Sequence, residues 1–184
     1  KMKVSIIVYD LHEMFNISHA DLLGIGLYHT GICFDEEDIE YAFGGDSDPN
    51  SSGVYGIRPK THTNFHYKTT IELGELDSQD FDTTNPAFNE ILWIRDLKPI
   101  IDKLKEKYMG CSYNILTRNC NHFSTELIEI LFKGKRKMPK YINRLADFGS
   151  IFEKFIPDNL MGPVPDNTET VDDLADICDY ISIH

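Results

Sequence analysis

The chain is poor in positive charge, cysteine and tryptophan, and it has no long apolar run. It carries 18 Lys and Arg against 30 Asp and Glu, a net charge of −12. That deficit disfavours nucleic acid and anionic membrane as main partners, because both call for a basic surface. No stretch has the ~20 consecutive apolar residues of a membrane-spanning helix, and no export signal is visible. The four cysteines, Cys33, Cys111, Cys120 and Cys178, are scattered without CxxC spacing. This usage points to reduced thiols in the cytoplasm or nucleus rather than a disulfide framework. What is present, 41% hydrophobic and 26% charged residues over 184 positions, suits one globular domain with a substantial core.

The first half of the chain reads as strands. Val4 to Tyr9 is apolar and β-branched, and Leu27 to Phe34 alternates. In the latter, Tyr28, Thr30, Ile32 and Phe34 share one face, and Leu27, His29, Gly31 and Cys33 the other. An acidic turn leads to Ile39–Phe43, with Ile39, Tyr41 and Phe43 facing one way and Glu40 and Ala42 the other. Val54 to Arg58 and Tyr67 to Leu73 complete a small antiparallel sheet. The second half reads as helices. One starts at Asn85-Pro86 and a second at Asp96-Leu97-Lys98-Pro99, since proline is tolerated in a first turn. Ile100, Ile101, Leu104 and Tyr108 would be the buried stripe of the second. Further helical patterns run from Cys120 to Leu131, with Gly134 as the stop, and from Tyr141 to Phe155. The acidic tail from Asp166 has Val171, Leu174, Ile177 and Ile181 on one face if it is helical. That face either binds a partner or docks on its own domain.

The chemistry centres on Asn119-Cys120-Asn121-His122-Phe123-Ser124. Cys120 falls at a helix start, where unpaired N–H groups and the positive end of the dipole favour a thiolate. Its polar flanks argue against a purely structural buried cysteine. His122 is a poor base for it, because residues two apart on a helix point about 200° apart. A base must come from elsewhere, and His29 is the histidine on a core strand. Alone it would more often be a satisfied core histidine; beside a helix-start thiol it becomes a candidate acid–base group. Zinc is disfavoured, because His29 and Cys33 share a face but stand ~13 Å apart along the strand at ~3.3 Å per residue. No metal or other cofactor is expected.

Four separated motifs then resemble a known family in order: Tyr28-His29-Thr30-Gly31-Ile32; Glu40-Tyr41-Ala42-Phe43-Gly44-Gly45; Tyr113-Asn114 with Asn119 to Ser124; and Pro139 with Ile142-Asn143-Arg144-Leu145-Ala146. They look like the PPPDE family, the desumoylating isopeptidases, over about Val4 to Val164, and most like its second, deubiquitinase-like subgroup. The resemblance implies an α+β, permuted papain-like fold, a small antiparallel sheet or barrel packed against helices, with the catalytic cysteine at a helix N-terminus. It carries a catalytic dyad onto His29 and Cys120, within a peptidase domain at 1–165 followed by an acidic tail at 166–184. The implied activity is thiol isopeptidase cleavage that removes ubiquitin or a related modifier such as SUMO from protein lysines. The partners would be that modifier and its conjugates. Cys120 attacks the carbonyl after the modifier's terminal glycine, and the His29 imidazolium holds the thiolate, so the thiol pKa is expected below its free value of about 8.5. The Cys120 N–H is the natural oxyanion donor. Glu40 is either an orienting group for His29 or, by default, a surface hairpin residue. Tyr28 and Phe43 either pack or line a channel for a Gly-Gly tail. S-depalmitoylation or acyl transfer of the lecithin-retinol-acyltransferase kind would use the same dyad, and a non-enzymatic interaction module is a third class. Glu75 to Asn89 is longer than usual for the family, and the tail has no counterpart.

Every motif lies before Val164. Truncation there is expected to leave the fold and the thiol's reactivity intact. Thermal melting of the truncated chain checks this; a large fall in Tm would show the tail face docked on the domain.

Overall fold

The computed structural model describes residues 2–12, 26–35, 38–76 and 90–143 of the chain. The expected helix start at Asn85, most of the 141–155 pattern and the acidic tail lie outside these residues. Five strands form one antiparallel sheet: β1 (Met2–Asp10), β2 (Tyr28–Phe34), β3 (Ile39–Phe43), β4 (Val54–Ile57) and β5 (His66–Leu76), in the order β4-β3-β2-β1-β5. Among the described residues the sheet is open, with β4 and β5 at its edges, so it takes the sheet form of the two expected. Two helices follow, α1 (Glu90–Lys107) and α2 (Cys120–Phe132), with a short 3-10 turn at Gly110–Ser112 between them.

Alternation sorts the strands into two faces. Val4, Ile6 and Val8 of β1, Ile32 and Phe34 of β2, and Ile39, Tyr41 and Phe43 of β3 form the main core. They pack with Leu97, Ile101 and Leu104 of α1 and with Phe123, Leu127, Ile128 and Leu131 of α2. The 3.6-residue period of these helical positions is what places them on one stripe. The second face carries Ile7, Tyr9 and Cys33, with Phe65 packed against them. Both faces of β1 and β2 are covered, so nearly all their residues are buried, including the polar Ser5, His29 and Thr30. Their register sets Tyr9 opposite His29 and Ile7 opposite Gly31.

The break expected before Pro99 is absent: Glu90–Lys107 is one helix with Pro99 inside it. Pro99 is exposed while Leu97, Ile101 and Leu104 are buried. The lost N–H and the ring's bulk therefore fall on the solvent side, where a helix bends most readily. The end of α1 is tied to α2 by Glu126, which accepts from Lys107 Nζ at 2.6 Å and from the Tyr108 hydroxyl at 2.8 Å.

Glu40 is not a surface hairpin residue. It is 0% exposed on the second face, where its side chain fills the space over Gly31: a Cβ there would lie 2.2 Å from Glu40 Oε1. Glu40 Oε2 accepts from the Tyr9 hydroxyl at 2.8 Å and from the Lys60 N–H at 3.1 Å, while Oε1 is buried with no hydrogen-bond partner among the described residues. Burial raises its pKa from 4.5 to about 7, against the lowering effect of those two donors. A carboxyl whose folded pKa is raised favours folding below about 4.5, and that contribution is lost as pH climbs through about 7. Glu40→Gln keeps an oxygen for both donors and removes the charge. It should match the wild type near pH 4.5 and be more stable at pH 8, by up to about 3 kcal/mol. Urea melts at the two pH values measure this; a gain equal at both would show that the carboxyl does not titrate.

Candidate active site

Asn119 starts α2. Its backbone is extended (φ −118°, ψ −176°), and its side-chain oxygen accepts the N–H groups of Asn121 and His122 at 3.0 and 3.2 Å. His122 completes the box by accepting the Asn119 N–H on Nδ1 at 3.2 Å. These bonds satisfy donors that a helix start leaves unpaired. Asn119 Nδ2 also donates to Ile115 O at 2.6 Å, which closes the loop before the helix. His122 is thus committed to the cap, and burial lowers its pKa. This agrees with the expectation that it turns away from Cys120.

The first turn of α2 is clamped onto β2. Asn121 Nδ2 donates to Tyr28 O at 3.1 Å. The Thr30 hydroxyl lies 2.9 Å from Asn121 Oδ1 and 3.0 Å from Ser124 Oγ, and Ser124 Oγ reaches Thr30 O at 3.3 Å. Asn121, Ser124 and Thr30 are all buried. Leaving any of these groups unpaired would cost about 1–3 kcal/mol, so the docking is specific in register.

Cys120 is the first residue of α2 and is 3% exposed. Its sulfur is faced by the N–H of Thr30, by those of Asn121 and Cys120 itself, and by the Tyr113 hydroxyl. Pairing between β2 and β3 begins only at Ile32, so Thr30 lies on the stretch of β2 that β3 leaves uncovered. Desolvation outweighs these donors and pushes the Cys120 thiol up to about 11. The resting thiol is therefore protonated, and Sγ lies 3.7 Å from Asn121 Oδ1, its acceptor. This departs from the expected depressed pKa: the helix start supplies N–H groups, but burial is the larger effect. Burial also holds the Tyr113 pKa well above its usual value, aided by Cys120, so Tyr113 remains a hydrogen-bond donor. Cys33 is pushed up to about 12 by burial and by the Asp35 carboxylate, whereas Cys111 is exposed.

His29 is the residue before Thr30 and is 3% exposed. Alternation sends its ring to the second face, among Tyr9, His62 and Phe65, with centroids 5.8, 5.1 and 4.6 Å away. β2 therefore carries His29 with its ring on the second face, while the next residue, Thr30, faces α2 and hydrogen-bonds its first turn. Phe43 is fully buried against Tyr108, Tyr113 and Phe123, so it packs the core and lines no channel. Tyr28 is half-buried, edge-on to the exposed Tyr141, at the rim beside Asn121. Residues the sequence reading did not single out for a role are Thr30, Asn121 and Ser124 of the clamp, and Tyr113 at the sulfur. Alternation grouped Thr30 with Tyr28, Ile32 and Phe34 and apart from His29, but only the structure turns that face, rather than the His29 face, toward α2.

A family model described as "PPPDE putative peptidase domain" matches residues 2–160. The chain belongs to the PPPDE peptidase family. A DeSI-like protein of Arabidopsis thaliana is 33% identical over 83% of this chain and 59% of its own length. The DeSI-like protein sdu1 of Schizosaccharomyces pombe is 34% identical over 95% of this chain and 79% of its own. A desumoylating isopeptidase 1 homolog of Caenorhabditis elegans is 33% identical over 89% of this chain and 45% of its own. The chain thus spans about half the length of the C. elegans relative and about three fifths of the Arabidopsis one. The PPPDE assignment agrees with the α+β architecture, an antiparallel sheet packed against helices.

With the Cys120 thiol at about 11, its alkylation near neutral pH depends on a base. His29→Ala should abolish the neutral-pH component, leaving a rate that only climbs toward about pH 11. His122→Ala should lose stability through the cap, by roughly 0.5–2 kcal/mol, and keep that component. Chloroacetamide modification of Cys120, read by mass spectrometry across the pH range, separates the two. The opposite pattern would rule out the pairing of His29 with Cys120.

Proposed function

We propose that this chain is a cysteine isopeptidase that releases a ubiquitin-like modifier from protein lysines, with Cys120 as nucleophile and His29 as acid–base group. The observation that carries this reading is the clamp of Thr30 and the Tyr28 carbonyl on Asn121 and Ser124, because it holds the strand bearing His29 against a helix whose capped start is Cys120. Family membership supports peptidase chemistry, and the name of the C. elegans relative supports a ubiquitin-like modifier as the leaving chain. The peptidase unit would occupy 1–165, with 166–184 as an appended acidic tail.

The chemistry follows from the protonated resting thiol. His29 takes the proton from Cys120 as the sulfur attacks the carbonyl carbon after the modifier's terminal glycine. The carbonyl π electrons move to oxygen, and the Cys120 N–H at the helix start donates to that oxyanion. The imidazolium then gives its proton to the lysine nitrogen, the C–N bond breaks, and a thioester remains on Cys120. A water deprotonated by His29 releases the modifier's carboxylate and restores the thiol. Excluding bulk water strengthens each of these charge interactions.

C-terminally electrophilic SUMO and ubiquitin, run beside an acyl-fluorophosphonate probe, test the reading. A modifier probe should label the chain, with the adduct mapped to Cys120. His29→Ala should reduce labelling by at least ~10²-fold, the low end for losing an acid–base group. Labelling by the acyl probe alone would replace the isopeptidase reading with thioester hydrolysis. Labelling by none of them would reject both.

A further inference from the structure

The second face of the sheet carries two polar side chains, Tyr55 and His62, that the mechanism above does not use. Tyr55 on β4 lies opposite Ala42, a side chain small enough to let the phenol extend over β3 toward β2. Tyr55 Oη stands 3.0 Å from His62 Nε2 and 3.4 Å from His29 Nε2. His62 comes from the loop between β4 and β5 and is 6% exposed. It stacks on Phe65 with centroids 3.9 Å apart and an interplanar angle of 26°. Phe65 in turn lies against the His29 ring at 4.6 Å. A phenol is therefore set between two buried imidazole nitrogens, and the rings around it are fixed by packing.

We propose that Tyr55, itself held by His62, is the positioning residue for the catalytic imidazole, and that it fixes His29 in the tautomer whose base is Nδ1. The proposal rests on the assignment of His29 as the acid–base group. A phenol has one proton and cannot donate to both nitrogens. Hydroxyl donors make the shorter hydrogen bonds, so the 3.0 Å contact takes the proton and Tyr55 donates to His62. At the 3.4 Å contact His29 Nε2–H then donates to the phenolic oxygen. A neutral imidazole protonated at Nε2 carries its lone pair on Nδ1. That nitrogen receives the Cys120 proton, and the imidazolium so formed keeps its Nε2–H on an oxygen whose own proton is drawn toward His62. The contact is long in the resting state and should tighten as charge develops on the ring.

Glu40, the nearby carboxyl, does not fill this role. Its Oε2 is held by Tyr9 and the Lys60 N–H, and its side chain occupies the space over Gly31. The orienting group of this site is therefore a neutral phenol rather than a carboxylate. A neutral partner orients the ring without adding a full negative charge that would hold the imidazolium's proton back from the leaving amine.

The experiment uses the full chain with four variants: Tyr55→Phe, His62→Leu, His62→Gln and His29→Ala. The 15N shifts of His29, assigned against His29→Ala, report its tautomer directly. The pH profile of Cys120 alkylation by chloroacetamide reports the base, and Tm reports the fold. The wild type should show His29 protonated at Nε2. Tyr55→Phe should give mixed tautomers and lower the neutral-pH rate by about 10-fold, less than the ~10²-fold expected for losing the base itself. His62→Leu should act in the same direction, and His62→Gln, which keeps an acceptor for the phenol, should restore tautomer and rate. A Tyr55→Phe protein with wild-type tautomer and rate would overturn the proposal while leaving the His29 assignment standing. A His29→Ala protein that keeps its neutral-pH rate would overturn the assignment and the proposal together. A fall in Tm common to Tyr55→Phe and both His62 variants, with unchanged His29 shifts, would show a packing role only and also overturn it.

Discussion

The first turn of α2 is held against β2 by hydrogen bonds between buried side chains. Asn121 reaches the Tyr28 carbonyl, and the Thr30 hydroxyl lies between Asn121 and Ser124. Around this clamp the other features fall into place. The Asn119 cap determines where the helix begins, and so puts Cys120 at its first position. The clamp sets that position beside the Thr30 N–H. The β2–β3 ladder begins only at Ile32, which leaves the Thr30 stretch of β2 uncovered by β3. If the helix slipped by one residue, the sulfur would turn by about 100° and leave this slot.

The two faces of the sheet do different work. The face under the helices is apolar and supplies most of the core, where Phe43, Tyr108 and Phe123 pack edge-to-face or tilted. The other face is built around polar side chains, namely Tyr9 with Glu40, and Tyr55 with His29 and His62. Polar groups in such surroundings are costly unless paired. That cost explains why Glu40 is pushed up to about 7, and why the phenol spans two histidines. Residue choice on this face trades stability for fixed orientation of titratable groups.

Burial also sets the resting state of the thiol. A helix start on a protein surface would lower a thiol pKa, but here desolvation prevails and Cys120 rests protonated. The peptidase reading then asks more of its base than simple ion pairing does. The imidazole has to accept a proton as the sulfur attacks, and its tautomer and orientation matter from the first step.

Much of the architecture was legible in the order of residues. Alternation in 27–34 and 39–43 assigned each side chain to its face, including Glu40 and Ala42 away from the core. The Asn-Cys-Asn-His string placed a helix start at Cys120, and helical geometry alone turned His122 away. These inferences succeed because strand and helix periods are local properties of the backbone. Local rules also misled. Pro99 read as a helix start, yet it lies inside α1, because its exposed side tolerates the lost bond. Glu40 read as a hairpin residue, because nothing in its neighbours announces that Gly31, on another strand, leaves a space for it. Tyr55 and His62 were unremarkable as sequence, since their meeting with His29 depends on strand order and on a loop folding over the second face. By itself the sequence determined the elements, their faces and the thiol at a helix start. Only the tertiary structure decided how far that thiol is desolvated and which groups surround the imidazole, because burial and long-range register are set by the whole packed chain.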